Sequence, residues 1–268
     1  MFFEEFMSVQ KAAAAKTGLL KKNPLGYFVA AMLAGAFIGF GVLLIFTIGG
    51  LLTGEPYVKI VMGAAFGVAL SLVVIAGAEL FTGNNMVMTA GLMSKSVTMA
   101  DTLKLWGVCW LGNLAGSVLL ALVFWGAGFA TGPVGEFIAA SAAIKMNLPL
   151  VPLFLRGVLC NVLVCLAVWC GFKCKSESGK LIMIFWCLFA FITTGFEHSI
   201  ANMTLLTISL LAPMEAAVTI GGYAYNLIVV TLGNMVGGIL FVAIPYYLIS
   251  KKKETVSYRV YLPRSKNT

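Results

Sequence analysis

Long apolar segments separated by short polar loops follow one another along most of the chain. Each is about 20 residues or longer, the length that an α-helix needs to cross the hydrocarbon core of a bilayer. The alternating segments of about 10 residues that are typical of outer-membrane barrels do not occur. The pattern predicts an all-α membrane protein with six transmembrane helices, at Tyr27–Leu52, Val58–Met93, Leu103–Gly126, Leu148–Phe172, Leu181–Leu211 and Tyr223–Ile249.

The second and fifth spans are too long for one straight crossing. Both exceed 30 residues, whereas tilt absorbs only a few residues beyond about 20. Polar and small residues interrupt each of them midway, around Glu79 in the second and around Glu197 in the fifth. We therefore expect broken second and fifth spans.

Two motifs recur in the same order along the chain. The pattern LGNxxG occurs around Asn113 in span three and, 121 residues later, around Asn234 in span six. The glutamates of the two interrupted spans are 118 residues apart, and each is followed by polar and small residues and an Asn-Met pair. The motifs predict two inverted three-helix repeats, which in transporters place a binding site near the midplane. The alternative is chance recurrence of small-residue packing motifs.

Composition excludes several classes of protein. Of 268 residues, 60% are hydrophobic and 10% are charged, against about 25% charged in soluble domains. A disordered chain, a nucleic-acid-binding domain and an ordinary cytosolic enzyme are therefore not expected. The six cysteines form no CxxC motif or Cys/His cluster. They are interpreted as small core residues, and neither a metal site nor a cofactor is predicted.

The positive charges predict the orientation. Fifteen of the 18 basic residues lie in the N-terminal tail, the loops after spans two and four, and the C-terminal tail, whereas Lys59 and Lys145 lie on the other side. By the positive-inside rule both termini are cytoplasmic, as expected for a multi-pass protein of a bacterial inner membrane. Three parts are predicted: an amphipathic interfacial segment at 1–22, a channel domain at 23–250 and a basic tail at 251–268.

Few titratable groups lie inside the apolar spans, and each is a candidate for function because its burial is costly. His198 is the only histidine in the protein and is interpreted as a proton donor or polar contact for a permeating solute. The alternative is a histidine bonded to backbone in a tight loop. Thr82, in the other break, is its expected counterpart across a pore, and the alternative is a hydroxyl that caps its own loop. Glu79 and Glu197 are expected to satisfy backbone donors that broken helices leave free.

Two cations are candidates for attracting anions on the external side. Arg156 lies within span four, where it would draw anions into a vestibule; the alternative is an arginine that snorkels or is paired within the protein. Lys145 would assist it or be a solvated loop lysine. On the cytoplasmic side, Lys16 and Lys21 would concentrate anions at the mouth.

Amide side chains near the breaks have expected roles as well. Asn161 is expected near the midplane, where it would hydrogen-bond His198 and set its tautomer, or else join helices. Asn84, Asn85 and Asn202 are expected to hold the broken helices through bonds to freed backbone groups. Bulky apolar residues near the breaks would form dewetting constrictions or simply pack: Phe66, Leu70, Leu80, Phe81, Val164 and Phe191.

At these residues the sequence resembles the formate/nitrite transporter family. Besides the LGNxxG pair, the resemblance rests on Asn23–Gly26, Glu79–Gly83, Gly157–Asn161 and Phe196–Met203, and it covers about residues 20–250. It implies an aquaporin-like fold and a homopentamer with one pore per protomer. It also implies passage of small monovalent anions, namely formate, nitrite or hydrosulfide, or of their conjugate acids.

The resemblance also implies roles for single residues. His198 corresponds to the family's central histidine, Thr82 to its loop threonine, Asn161 to its pore asparagine and Lys145 to its vestibule lysine. The slit residues are implied to be Leu70, Leu80 and Phe191 on the cytoplasmic side, and Phe66, Phe81 and Val164 on the outer side. A basic residue at position 156 resembles nitrite-type members, which leans away from formate and leaves nitrite and hydrosulfide open.

Other classes of function agree less well with the residues. A neutral-solute channel of the aquaporin or ammonium type is the alternative, but the chain has no Asn-Pro-Ala pair and only one histidine. An intramembrane enzyme would need a metal cluster or a nucleophile and base pair, which the sequence does not offer. The expected partners are therefore small anions, the lipid bilayer and further copies of the chain, and no nucleic acid.

Overall fold

The computed structural model describes residues 1–251, which are helical apart from short connections and contain no β-strand. The helices are α1 (Phe3–Lys22), α2 (Pro24–Leu51), α3 (Val58–Ala65), α4 (Gly67–Leu72), α5 (Phe81–Met93), α6 (Met99–Gly126), α7 (Gly132–Met146), α8 (Leu150–Lys173), α9 (Glu177–Thr194), α10 (Ser199–Leu211), α11 (Ile220–Gly238) and α12 (Ile244–Ser250). One π-helical turn, Val73–Gly77, continues α4, and another, Ile239–Ala243, joins α11 to α12. Of the predicted basic tail, all but Lys251 lies outside the described residues.

Six helical segments of the described chain are long and apolar enough to cross a membrane, which confirms the predicted number. They are Pro24–Leu51, Val58–Gly77, Met99–Gly126, Leu150–Lys173, Glu177–Thr194 and Ile220–Ser250. The predicted bounds of the four unbroken spans differ from these by a few residues.

Both predicted breaks are present. In span two, the helical segment Val58–Gly77 ends at a glycine whose φ is +82°. Ala78–Leu80 then connect this segment to α5. In span five, α9 ends before Gly195, whose φ is +80°, and α10 begins at Ser199. Glycine has no Cβ and therefore adopts a positive φ without a steric clash, which allows each helix to end there. The half-helices α5 and α10 are almost wholly buried.

The glycines of the two LGNxxG motifs allow close packing within each half of the chain. In the first half α2 packs on α6, and in the second α8 packs on α11. A Cβ on Gly116 would collide with the backbone carbonyl of Met32, and a Cβ on Gly237 with that of Val158. The repeat inferred from sequence is therefore also a repeat of helix contacts.

A short helix precedes the first span of each half. α1 was expected as an interfacial helix; it forms, but its buried face (Phe6, Val9, Ala13, Thr17 and Leu20) packs mainly against α5 of the same protein. Its N-terminal end lies in an aromatic cluster with Trp169, Tyr246 and Tyr247. α7, which the sequence analysis did not predict, occupies the corresponding place before α8 and packs on α2 and α10.

Candidate functional site: a pore between two broken helices

The two breaks bring His198 and Thr82 together. His198 Nε2 lies 3.0 Å from Thr82 Oγ1, and both residues are buried. His198 is also the N-cap of α10, because its Nδ1 accepts a bond from the Ala201 amide at 3.1 Å. Since Nδ1 is occupied as an acceptor, the neutral ring carries its hydrogen on Nε2 and donates it to the threonine hydroxyl. The backbone contact that was the alternative for His198 thus coexists with its contact to Thr82 in the other break.

Asn161 does not bond to His198, so the expectation that it sets the tautomer is wrong. The two hydrogens of its amide nitrogen serve three acceptors within hydrogen-bond distance: the carbonyls of Thr82 (3.2 Å) and Asn234 (2.6 Å) and Asn85 Oδ1 (3.1 Å). The tautomer is fixed instead by the backbone cap on Nδ1. Asn161 therefore ties α8 to α5 and α11, which was the alternative expectation for it.

The asparagines of the LGNxxG motifs hold the two breaks. Asn113 Oδ1 accepts from the Phe81 amide at 2.9 Å, and its Nδ2 donates to the carbonyls of Ala31 and Glu79. Asn234 repeats this arrangement with the Ser199 amide and the carbonyls of Gly157 and Glu197. The first amide of each half-helix, which has no partner within its own helix, is thus satisfied from the third span of the same half. Sequence reasoning noticed the motif but missed this role.

The glutamates at the equivalent positions of the two repeats form ion pairs. They do not accept from free backbone amides, so that expectation is corrected. Glu79 accepts from Lys16 Nζ at 2.7 Å, and Glu197 accepts from Lys145 Nζ at 2.7 Å. Asn84 and Asn202 donate to the same carboxylates, at 3.0 and 2.7 Å, instead of to freed backbone groups. The first backbone amides of the half-helices bond to Asn113 and Asn234 instead.

These ion pairs also correct the expectations for two lysines. Lys145 lies in α7, and its side chain is 20% exposed, so it is not a solvated loop lysine. Lys16 lies in α1 and reaches the first break, so its charge is largely balanced by Glu79. Lys21 forms an ion pair with Asp101 at 2.7 Å.

Three cavities lie between these elements. The first, called here the α7-side vestibule, measures about 350 Å³ and includes Lys59, Lys145, Arg156 and Phe137 in its lining. The second, the α1-side vestibule, measures about 560 Å³ and includes Lys16, Lys180, Glu79, Gly83 and Phe172 in its lining. The third, the central chamber, measures about 10 Å³ and is lined by Ile38, Phe66, Leu70, Leu80, Val164, Leu188, Phe191 and His198.

Residues shared between cavities mark the constrictions. Phe66, Phe191 and His198 line both the central chamber and the α7-side vestibule. Leu70 and Leu80 line both the chamber and the α1-side vestibule. Phe191 was expected to form one constriction with Leu70 and Leu80. In the structure it lies instead beside Phe66, and their ring centroids are 5.6 Å apart.

The remaining two predicted slit residues are placed differently. Val164 lines the central chamber itself. Phe81 is buried but belongs to the lining of none of these three cavities. As the first residue of α5, it offers its amide to Asn113, which fixes its backbone at the edge of the break.

Arg156 is a partly buried cation of the α7-side vestibule. Within residues 1–251 its guanidinium has no ion pair or hydrogen bond, whereas its carbonyl accepts from the Glu197 amide at 3.2 Å. Lys59, on the same vestibule, is exposed. Because Glu197 balances Lys145, the positive charge that this vestibule presents comes from Arg156 and Lys59.

The amino-acid sequence is similar to those of known transporters of small anions. The formate/nitrite transporter family profile matches residues 4–248. The chain is 43% identical to the nitrite transporter NirC of Salmonella typhimurium over 257 residues, which cover 95% of this chain and 94% of that protein. It is 38% identical to a probable formate transporter of Methanothermobacter thermautotrophicus, over 91% of this chain and 96% of that protein.

Solved structures match as well. One, described as an FNT family ion channel, superposes with a TM-score of 0.89 at 40% identity, covering 92% of this chain and 99% of the other. A pentameric formate channel with formate bound superposes with a TM-score of 0.76 at 32% identity, covering 87% of this chain and 99% of the other.

Proposed function

The chain belongs to the formate/nitrite transporter family, and from this premise we propose that it conducts nitrite and its conjugate acid through the three cavities between its broken helices. It is an integral membrane protein, and its relatives are transporters and channels of small anions. Nitrite is proposed because a NirC nitrite transporter is 43% identical to it over nearly the whole chain. The basic residue at position 156 argues against formate and leaves hydrosulfide as the competing solute.

The observation that carries the mechanism is the position of His198. Its ring lines the central chamber and the α7-side vestibule, at the level of Phe66 and Phe191. A bare anion in that apolar chamber would lose hydration that the lining cannot replace. The ring Nε2–H, which also bonds Thr82, supplies a hydrogen bond to the solute there. The solute takes up a proton from water in the vestibule where it enters, crosses the constrictions as its neutral acid and ionises again in the next vestibule.

Nitrite uptake into proteoliposomes tests this mechanism. His198→Asn and Thr82→Val are expected to lower the flux and flatten its dependence on pH, because each removes one partner of the pair. Thr89→Val is a matched control, since that hydroxyl bonds only within α5, to the Asn85 carbonyl. Unchanged flux and unchanged pH dependence in His198→Asn would remove the ring from the mechanism.

The same assay with nitrite, hydrosulfide and formate tests the choice of substrate. Nitrite is expected to give the highest flux, and a dominant formate flux would contradict the proposal. Flux of water or ammonia above that of all three anions would favour the neutral-solute channel instead. The panel should be run with an imposed pH gradient, which separates passive from proton-coupled passage.

Arg156 gathers anions in the α7-side vestibule in this proposal. Its charge is unpaired among the described residues, whereas Lys145 is balanced by Glu197. Arg156→Gln is therefore expected to raise the nitrite concentration for half-maximal flux and to weaken the dependence of that value on ionic strength, because salt screens the field that the guanidinium creates. Equal salt dependence in the wild type and in this variant would argue against the role.

The assembly and the orientation are proposed as well. A homopentamer is supported by the pentameric formate channel to which the chain is similar. Apolar side chains exposed on α2 and α6, among them Phe40 and Leu119, offer surface for neighbouring copies or lipid. The distribution of basic residues supports cytoplasmic termini, and the bacterial nitrite transporters to which the chain is similar support a bacterial inner membrane. Native mass spectrometry and reporter fusions to either terminus measure these properties.

A further inference from the structure

The α7-side vestibule has the properties of a binding site for ligands larger than the transported solute. Its volume of about 350 Å³ contrasts with about 10 Å³ in the central chamber behind it. Cavities that bind small organic molecules measure roughly 300–1,000 Å³, and an apolar cavity of about 150 Å³ already holds benzene. The vestibule therefore has room for a one-ring molecule that the chamber cannot accept.

The walls of the vestibule are aromatic. Phe66 and Phe191 meet edge to face at its floor, with ring centroids 5.6 Å apart, and Phe46 and Phe137 pair in the wall at 5.8 Å. Aromatic pairs at such distances contribute about 0.5–1.5 kcal/mol beyond the area that they bury. A ligand ring would find aromatic partners in the wall and at the floor.

The charged residues that line the vestibule favour a ligand with a single anionic group. Lys145 is balanced by Glu197 at 2.7 Å, and Lys59 is exposed to solvent. Arg156 is left as the partly buried guanidinium without a partner among residues 1–251. A guanidinium binds a carboxylate or sulfonate through two parallel hydrogen bonds. We propose that the α7-side vestibule binds aromatic monoanions, with the charged group on Arg156 and the ring among Phe137 and its neighbours, and that such ligands block the pore from this face only.

The restriction to one face follows from the α1-side vestibule. Both of its lysines are paired, Lys16 with Glu79 and Lys180 with Glu177. Its lining contains a single aromatic ring, Phe172. An aromatic monoanion therefore finds neither the free guanidinium nor the aromatic wall on that side.

Benzenesulfonate is the probe for this site, because it is a strong acid and cannot cross as a neutral species. Its effect on nitrite flux is measured with the probe added to each membrane face in turn, and this readout rests on the proposed conduction of nitrite. Block from one face, competitive with nitrite, is expected. Methanesulfonate, which lacks the ring, and benzenesulfonamide, which lacks the charge, are expected to block weakly. Equal block from both faces, or equal block by methanesulfonate, would overturn the proposal.

Two variants and a control locate the site. Phe137→Leu is expected to weaken block about two- to tenfold, the loss of one aromatic contact, with block measured relative to the variant's own nitrite flux without the probe. Phe129→Leu is its control, since Phe129 is exposed and lies outside the lining. Arg156→Gln is expected to weaken binding at least about tenfold, the loss of a charge-assisted bond. Block that is the same in Phe137→Leu and Arg156→Gln as in the wild type would place the ligand elsewhere.

Binding can also be read without transport. Saturation-transfer NMR of benzenesulfonate with the purified protein in detergent is expected to show ring contacts that Arg156→Gln weakens. A protein that conducts nitrite but shows neither binding nor block would overturn this inference and leave the proposed function intact. A protein that binds the probe but conducts no nitrite would overturn the proposed function alone.

Discussion

Asn234→Ala tests whether the LGNxxG asparagines hold the half-helices in place. The side chain is fully buried and makes three hydrogen bonds, accepting from the Ser199 amide at 2.9 Å and donating to the carbonyls of Gly157 at 2.8 Å and Glu197 at 2.9 Å. Alanine leaves one amide and two carbonyls without this partner. At about 1 kcal/mol for each bond, the loss is roughly 3 kcal/mol.

Thermal unfolding in detergent, followed by intrinsic fluorescence, measures this loss. For a chain of this size roughly 3 kcal/mol corresponds to a fall in Tm of about 6–12 °C. Asn113→Ala should behave alike, because it removes the same three kinds of bond in the first half. Asn147→Ala is the matched control, since its amide bonds a single exposed carbonyl. A Tm for Asn234→Ala equal to that of the control would refute the reasoning.

Three further substitutions probe the frame and the pore. Lys145→Met leaves Glu197 buried without its cation, a loss of about 3–5 kcal/mol, and adding Glu197→Gln should restore part of the Tm; no recovery in the double variant would speak against the ion pair. Gly116→Ala should lower the Tm by several degrees because its Cβ meets a backbone carbonyl, whereas Gly107→Ala, which faces open space, should not; equal values would contradict the close packing. His198→Leu should lose about 1 kcal/mol with its cap and abolish nitrite flux; retained flux would count against the ring.

The crossing helices and their breaks were predictable because each depends on local properties. The number of spans follows from the number of long apolar runs. A break is expected where a run is longer than a helix needs to cross the bilayer and contains polar residues. α7 was missed for the same reason. With 15 residues, α7 is too short to cross a membrane. It begins at Gly132-Pro133, a dipeptide that typically marks a loop.

The partners of the buried polar groups were not predictable from spacing. Lys16 and Lys145 precede their glutamates by 63 and 52 residues, and each is brought to its carboxylate only by the packing of α1 and α7. Both lysines were therefore interpreted by their position in a tail or loop. The bonds of Asn113 and Asn234 likewise depend on which carbonyls α2 and α8 present.

The repeat explains how a symmetric frame carries an asymmetric pore. Each half has a short preceding helix with a lysine, a glutamate that binds it, and an asparagine that holds the break. The residue after the glutamate differs between the halves: it is Leu80 in the first and His198 in the second. Both are N-caps of half-helices and both line the central chamber, but only the side chain of His198 bonds the backbone of its helix. Because a leucine at this position already supports one half-helix, the frame does not require an imidazole at the other. The role that we propose for His198 in the passage of the solute therefore accounts for an imidazole at this position.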